Sequence, residues 1–383
     1  MPQRPYASAE RFLLSREFFG MKLGLENITS FLAAIGSPQL DYLTIHVAGT
    51  NGKGSTSAMI ASILQAQGYR TGLYTSPHLV SMRERIRIDG QDIPKSAVTA
   101  YVGRYRRELV KRKLSFFEVM TALAFEHFSR SKIDIAVIET GLGGRLDATN
   151  VMSPALTIVT DISRDHMEIL GGTPRKIAIE KAGIIKPGVT HLIGRLPREA
   201  EEVMVRRCAD LSAPLVRLRA KDYTEYPNTN RLDFRSDGWR LPGVRPGLIG
   251  PHQLKNAALA LRAVDLLRRF GPAVSDRAMR EGMTRVHWPG RFQIVSRPGK
   301  PTLVFDVGHN AGGAAAFAQT FMTRFPGRRA HVLTGLVQRK EHQIMFDSLA
   351  EIAAEYVIVP VATRRSVDTR ELLSTIRWRG ITV

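Results

Sequence analysis

Cysteine is nearly absent from this chain: Cys208 is the only one among 383 residues. An intrachain disulfide is therefore excluded, and the lone thiol reads as a small packed hydrophobe in a protein suited to a reducing compartment. The expected location is the cytoplasm. Long apolar runs are also missing. No stretch approaches the roughly 20 residues that span a bilayer. The N-terminal MPQRPYASAERFLLSREFFG scatters charges through its apolar positions, unlike a secretory signal. No membrane partner is expected. Acidic residues are scarce beside basic ones, 35 against 55, for a net charge of +20. That balance raises nucleic-acid binding as a class. The Lys and Arg residues are spread along the whole chain, not blocked into a tail or one helix. No zinc-finger or RRM signature accompanies them, which argues against nucleic acid. The positive field suits small anionic ligands, and a plain compositional bias toward Arg explains it equally well.

What is present is a chain with 44% hydrophobic and 23% charged residues, long enough for two domains. Apolar, β-rich runs at 43–48, 71–75, 133–139 and 156–160 read as strands. Amphipathic stretches at 55–68, 116–128, 252–270 and 275–286 read as helices. Short apolar strands separated by helices imply a parallel sheet with crossovers. Between 215 and 250, VRLRAKDY and RLDFRSDGWRL alternate in hydrophobicity and predict a small antiparallel excursion. WPGR at 288–291 is a Pro/Gly break, taken as the boundary between domains 1–289 and 290–383. Beyond it, strands at 302–306, 330–334 and 356–361 alternate with helices at 312–324 and 343–355. This predicts a smaller, Rossmann-like α/β domain.

The most informative string is GTNGKGST at 49–56, between a strand and a helix. Gly49, Gly52 and Gly54 let the backbone turn so that the N–H groups of Gly49, Thr50, Asn51 and their neighbours can face a phosphate. The helix that follows adds the positive end of its dipole. Lys53 can reach the β- and γ-phosphates of a nucleotide, and Ser55 stands where a Mg²⁺ ligand is expected. The spacing departs from a Walker A motif, because Gly54 separates Lys53 from Ser55 and Val47 occupies the place of the first glycine. GLGGRLDATN at 141–150 lacks the G-x-G-x-x-G spacing of a dinucleotide loop. On its own, Lys181 reads as a lysine on a helix surface, and Phe116 and Phe117 are as much core as stacking residues.

GTNGKGS resembles the nucleotide loop of the Mur ligase superfamily, in its folylpolyglutamate synthase branch. YTSPHL at 74–79, SFFEVMTALAF at 115–125, ETGLGGRLDATN at 139–150 and DHMEILGGT at 165–173 are similar to strings of the same branch. EKAGIIKPG at 180–188, HQLKNAALA at 252–260, WPGRFQIV at 288–295 and DVGHN at 306–310 follow in order. The resemblance implies a Mur-ligase-like α/β fold and an ATP-dependent ligase that joins L-glutamate to dihydropteroate or to folates. It implies one Mg²⁺ held by Ser76 and Glu139 with the ATP phosphates, a second held by His166, and a carbamylated Lys181. The pterin end of the substrate is implied at Lys22, Leu23 and Gly24, at Ser115, Phe116, Phe117 and Glu118, and at Leu146, Asp147 and Ala148. Asn256 is implied beside the adenine, and Arg291, Asp306 and His309 beside the nucleotide. The expected chemistry rests on Lys53, Glu139, His166, Lys181 and Arg291. A monomer is expected.

Three alternatives stay open at this point: a cell-wall Mur ligase, a nucleic-acid binder and a non-catalytic ATP-binding relic. The last arises because family members continue past TIRWRGITV with a further strand–helix unit, so an open apolar sheet face is expected in the second domain.

Overall fold

The computed structural model describes residues 3–19, 24–163, 170–268, 271–337, 342–363 and 366–377. Two compact units emerge. One comprises Met1–Tyr223, Phe234–Leu241 and Asn256–Val286; the other comprises Thr224–Asp233, Pro242–Lys255 and His287–Val383.

The first unit is built on an eight-stranded sheet. Its strands are β1 (Leu43–Ala48), β2 (Thr71–Tyr74), β3 (Ile86–Ile88), β4 (Gln91–Asp92), β5 (Ile135–Glu139), β6 (Leu156–Val159), β7 (His191–Ile193) and β8 (Leu215–Arg217). They lie in the order β4-β3-β2-β5-β1-β6-β7-β8. From β2 to β8 every pairing is parallel, while β3 and β4 run antiparallel at one edge. The central strands LTIHVA, IAVIE and LTIV are buried almost throughout, as expected where helices cover both faces. The helices of this unit are α1 (Gln3–Ser15), α2 (Glu26–Ala34), α3 (Lys53–Gln67), α4 (Lys95–Lys111), α5 (Phe116–Arg130), α6 (Pro174–Ala182) and α7 (Arg198–Asp210), followed by most of α8 (Pro251–Leu267) and α9 (Asp276–Arg285).

One core, with Phe31, Phe125, Phe128 and Tyr101 buried, lies among α1, α2, α4 and α5. Another, with Ile177, Ile193 and Met204, lies among α6, α7 and the sheet, and contains Cys208. Burial pushes the Cys208 thiol up to about 11, in keeping with its expected packing role. Helix α3 buries ten consecutive or near-consecutive residues, Gly54 to Leu64. It meets α9 where a Cβ on Gly282 would lie 2.4 Å from the Ile63 Cα, so only glycine fits there.

The segment predicted as an antiparallel excursion forms a three-stranded sheet, in the order β11 (Trp239–Val244), β10 (Arg231–Ser236), β9 (Tyr223–Tyr226). The second unit holds two further two-stranded sheets. β12 (Gln293–Val295) pairs antiparallel with β13 (Leu303–Phe305), and β14 (Ala330–Thr334) pairs parallel with β15 (Ala353–Ile358). α10 (Ala311–Arg324), α11 (His342–Ala350) and α12 (Thr369–Arg377) accompany them. The strand expected at 356–361 starts earlier, at Ala353, because Ile352 turns into the core beside Phe292 and Phe321 and ends the preceding helix at Ala350. Leu303, Phe305, Leu333 and Val357 remain exposed.

Candidate functional site

β1, β2, β5 and β6 run parallel, so their C-terminal ends share one edge of the sheet. This is where α/β sheets place ligands. At the end of β1 the chain turns through Gly49 (φ 153°) and Gly52 (φ 83°) into α3, whose first residue is Lys53. The Lys53 Nζ donates to the carbonyls of Gly49 at 3.0 Å and Thr50 at 3.2 Å, folding its ammonium over the loop. Lys181 reaches the same Gly49 carbonyl from α6 at 2.7 Å. Reading the residues alone put Lys181 on a helix surface; it is 3% exposed. The reason is periodic. α6 buries Ile177, Ala178, Lys181 and Ala182 as one stripe, so the lysine stands on the apolar face.

The loop after β6 clamps this turn, a feature the sequence reading missed. The Thr50 N–H donates to the Asp161 carbonyl at 2.8 Å, and its hydroxyl donates to the Ser163 carbonyl at 3.1 Å. The Thr160 hydroxyl donates to the Asn51 carbonyl at 2.6 Å, and the Asn51 amide donates to the Ser163 hydroxyl at 3.0 Å. The side chains of Thr50 and Asn51, and the Thr50 N–H, are thus occupied in holding the turn. The pattern TDIS after an apolar run was the available signal. Burial raises Asp161, against donors from Ser163 and Asn51. Ser55 is buried in the first turn of α3. Asn256 lies against the loop, since a Cβ on Gly52 would meet its Oδ1 at 2.6 Å.

Glu139 ends β5 beside the loop, 4% exposed, and its Oε2 accepts the Ser76 N–H at 3.2 Å. The Glu139 carboxylate and the Ser76 hydroxyl are hard oxygen donors and fit Mg²⁺. His166 lies outside the described residues. Among those described, no group of three His, Cys, Asp or Glu side chains gathers as a metal cluster.

On the expected acceptor side, Ser115 and Glu118 form a capping box at the start of α5. The Glu118 carboxylate accepts the Ser115 N–H at 2.8 Å and its hydroxyl at 2.7 Å. Their side chains are spent on the helix start. Phe116 is buried, with the Arg85 guanidinium 5.2 Å above its ring. Phe117 is half-buried; its ring lies against Gly141 and is tilted on Tyr74 at 6.1 Å. Asp147 is buried and accepts from the Leu142 N–H at 2.9 Å and the Thr149 hydroxyl at 2.5 Å. Burial raises it, against those donors. Ala148 is buried and Leu146 half-buried. The next link inward is His46, whose Nε2 lies 2.8 Å from the Thr149 hydroxyl. Gly24 precedes α2, while Lys22 and Leu23 lie outside the described residues.

In the second unit, Asp306 follows β13. Its carboxylate accepts the N–H groups of Phe292 at 2.8 Å and Gly308 at 2.6 Å, which hold Arg291 and the 306–309 turn together. Burial raises Asp306, opposed by those N–H groups and by Arg291. Half-buried Arg291 donates to the Gly290 carbonyl at 3.3 Å, and His309 is exposed beside Val307.

The Mur ligase middle domain matches residues 47–264, and the Mur ligase glutamate ligase domain matches 290–383. A dihydrofolate synthase/folylpolyglutamate synthase from Bacillus subtilis is 37% identical over 360 residues, covering 91% of this chain and 83% of that protein. The chain belongs to this family of Mur ligases. The solved folylpolyglutamate synthase of Mycobacterium tuberculosis, complexed with ADP, superposes with a TM-score of 0.90 at 31% identity, over 98% of this chain and 86% of that one. The Escherichia coli FolC in complex with DHPP and ADP matches with a TM-score of 0.86 at 32% identity, over 99% and 88%. The turn through Gly49–Lys53 and the strand end at Glu139 fall within the matched middle domain; Arg291, Asp306 and His309 fall within the matched ligase domain.

Proposed function

We propose that this protein is an ATP-dependent ligase that adds L-glutamate to dihydropteroate, to folates, or to both, through an acyl phosphate. The observation that carries the reading is the convergence of Lys53 and Lys181 on the Gly49 carbonyl, at the sheet edge where Glu139 and Ser76 meet. A carboxylate does not react with an amine unless given a leaving group. In this reading the acceptor carboxylate attacks the γ-phosphorus of ATP and ADP departs. The glutamate amine then attacks the acyl carbon and phosphate leaves.

The chain's contribution is to position anions and offset their charge. Backbone N–H groups of Gly52, Lys53 and Gly54 at the start of α3 hold the phosphates, and Lys53 follows the charge that develops on the transferred group. Ser76 and Glu139 would hold one Mg²⁺ and His166 a second; bound there, the ions supply charge neutralisation on the phosphate oxygens. Lys181, carbamylated, orients that side of the site. Asn256 contacts the adenine. For the second unit, Arg291, Asp306 and His309 are nucleotide-contacting residues. Half-buried Phe117, with Leu146–Ala148 and Lys22–Gly24, supports the pterin. Ser115, Phe116 and Glu118 serve by fixing α5. The protein works as a cytoplasmic monomer in this reading.

The test is ADP release measured with dihydropteroate and with tetrahydrofolate, each with and without L-glutamate. Release that requires glutamate and one of the two acceptors is expected. ADP release that ignores both acceptors overturns the assignment.

A further inference from the structure

Arg85 is a buried cation whose strong donors are only partly used. It closes a short 3-10 turn (Met82–Arg85) in RERIRI, a string with no evident motif, and is 9% exposed. Its Nε donates to the His78 Nδ1 at 2.8 Å, and its carbonyl accepts the Thr75 N–H at 3.0 Å. It therefore grips the Thr75–His78 segment on both sides of Ser76, the residue that leans on Glu139. The guanidinium carbon stands 5.2 Å over the Phe116 ring. No described carboxylate lies within ion-pairing distance of it, although Glu139, Glu84 and Glu17 act on it from further away. Glu84, the nearest in sequence, is committed elsewhere, accepting the N–H groups of Leu79, Val80 and Ser81 at 2.9, 3.0 and 2.6 Å.

Holding an arginine over an aromatic ring without a carboxylate partner is costly. The Nε bond to His78 and the ring of Phe116 place the guanidinium between the segment that carries Ser76 and the aromatic start of α5. A planar anion is the chemistry that such a fork matches, through two parallel hydrogen bonds. A neutral heterocycle would not offset the charge. We propose that Arg85 binds the reacting carboxylate of the acceptor and holds it at the Ser76–Glu139 corner, which makes it a substrate-binding residue for a carboxylate-bearing acceptor. This rests on the ligase reading above and adds to it the group that selects a carboxylate.

The experiment measures binding directly, so that it does not depend on turnover. Wild type, Arg85→Gln and Arg85→Lys are titrated with dihydropteroate, with its carboxamide, and with a pterin fragment that lacks the aminobenzoate. A non-hydrolysable ATP analogue is titrated in parallel. In wild type the carboxamide should bind at least about tenfold more weakly than the carboxylate, the scale of a lost charge-assisted pair. Arg85→Gln should weaken the carboxylate by a similar factor and abolish the preference, with Arg85→Lys intermediate. Affinities for the pterin fragment and the ATP analogue should not change. Equal wild-type affinity for carboxylate and carboxamide overturns the proposal, and needs no variant to fold. A loss in Arg85→Gln that extends equally to the fragment or to the ATP analogue also overturns it, by making Arg85 a brace for the 75–78 segment. If wild type binds no acceptor at all, the ligase reading fails as well, so the two failures are distinct.

Discussion

Gly49→Ala tests the geometry of the phosphate turn with a single carbon atom. Gly49 has φ 153°, where a non-glycine residue costs about 1–3 kcal/mol. The added Cβ would lie 2.0 Å from the Thr160 Oγ1 and 3.2 Å from the Thr160 backbone nitrogen. Thr160 cannot simply swing away, because its hydroxyl donates to the Asn51 carbonyl at 2.6 Å. Losing that bond costs about 1 kcal/mol more. The sum, about 2–4 kcal/mol, falls on the turn and on the carbonyl that both lysines share, so nucleotide affinity should drop by about 30- to 700-fold. Calorimetric titration with a non-hydrolysable ATP analogue measures it, and a thermal melt checks that the sheet persists. Thr160→Ala removes the clashing hydroxyl together with its bond. The double variant should therefore fall short of the sum of the two single losses by about 1 kcal/mol. Wild-type affinity in Gly49→Ala, or strict additivity with Thr160→Ala, would refute the reasoning.

Lys53→Ala should lower ATP-dependent turnover by about a thousandfold or more while the protein melts normally, since its contacts lie at a half-buried loop; near-normal turnover removes the phosphate-loop role. Glu139→Gln keeps the size of the side chain and removes its charge, so the Mg²⁺ concentration for half-maximal activity should rise at least about tenfold; an unchanged Mg²⁺ titration excludes Glu139 as a ligand. His46 and His191 are both pushed down to about 3, first by burial, within the central sheet. Folded, they stay neutral; unfolded, they take up protons below pH 6.5, so stability is lost as the pH falls from there toward 3. Each group contributes about 1.4 kcal/mol per unit, or about 3 kcal/mol for the pair at pH 5.5. Urea unfolding at pH 7.5 and 5.5 compares the two, and equal midpoints would show that these imidazoles are not held neutral.

The local elements were the legible ones. GTNGKGS announces its turn because the glycines, the lysine and the following helix are contiguous, and LTIHVA and IAVIE announce buried parallel strands by composition. The clamp from Thr160, Asp161 and Ser163 was not legible, since it depends on β6 pairing beside β1, more than a hundred residues away. Lys181 shows a signal passed over: its place four residues after Ile177 already puts it on the buried stripe of α6. SFFE shows the reverse. Ser115 and Glu118 fit a capping box as well as a ligand contact, and the structure commits them to the cap. Arg85 carries no motif at all, and only the fold brings it to Phe116 and His78.

The shared carbonyl of Gly49 has a further consequence. Two cationic side chains that hydrogen-bond one oxygen gather positive charge at the turn, and like charges repel. The turn is an electrostatic conflict held in place by the strands and helices around it. A phosphate arriving there adds attraction and also cancels that repulsion, so nucleotide becomes a structural component of the sheet domain, and unfolding free energy should climb with the logarithm of its concentration. Turning Lys181 into an anion by carbamylation would act in the same direction without nucleotide. Covalent charge reversal and ligand capture are then two resolutions of one conflict, and either would raise the melting temperature of the domain.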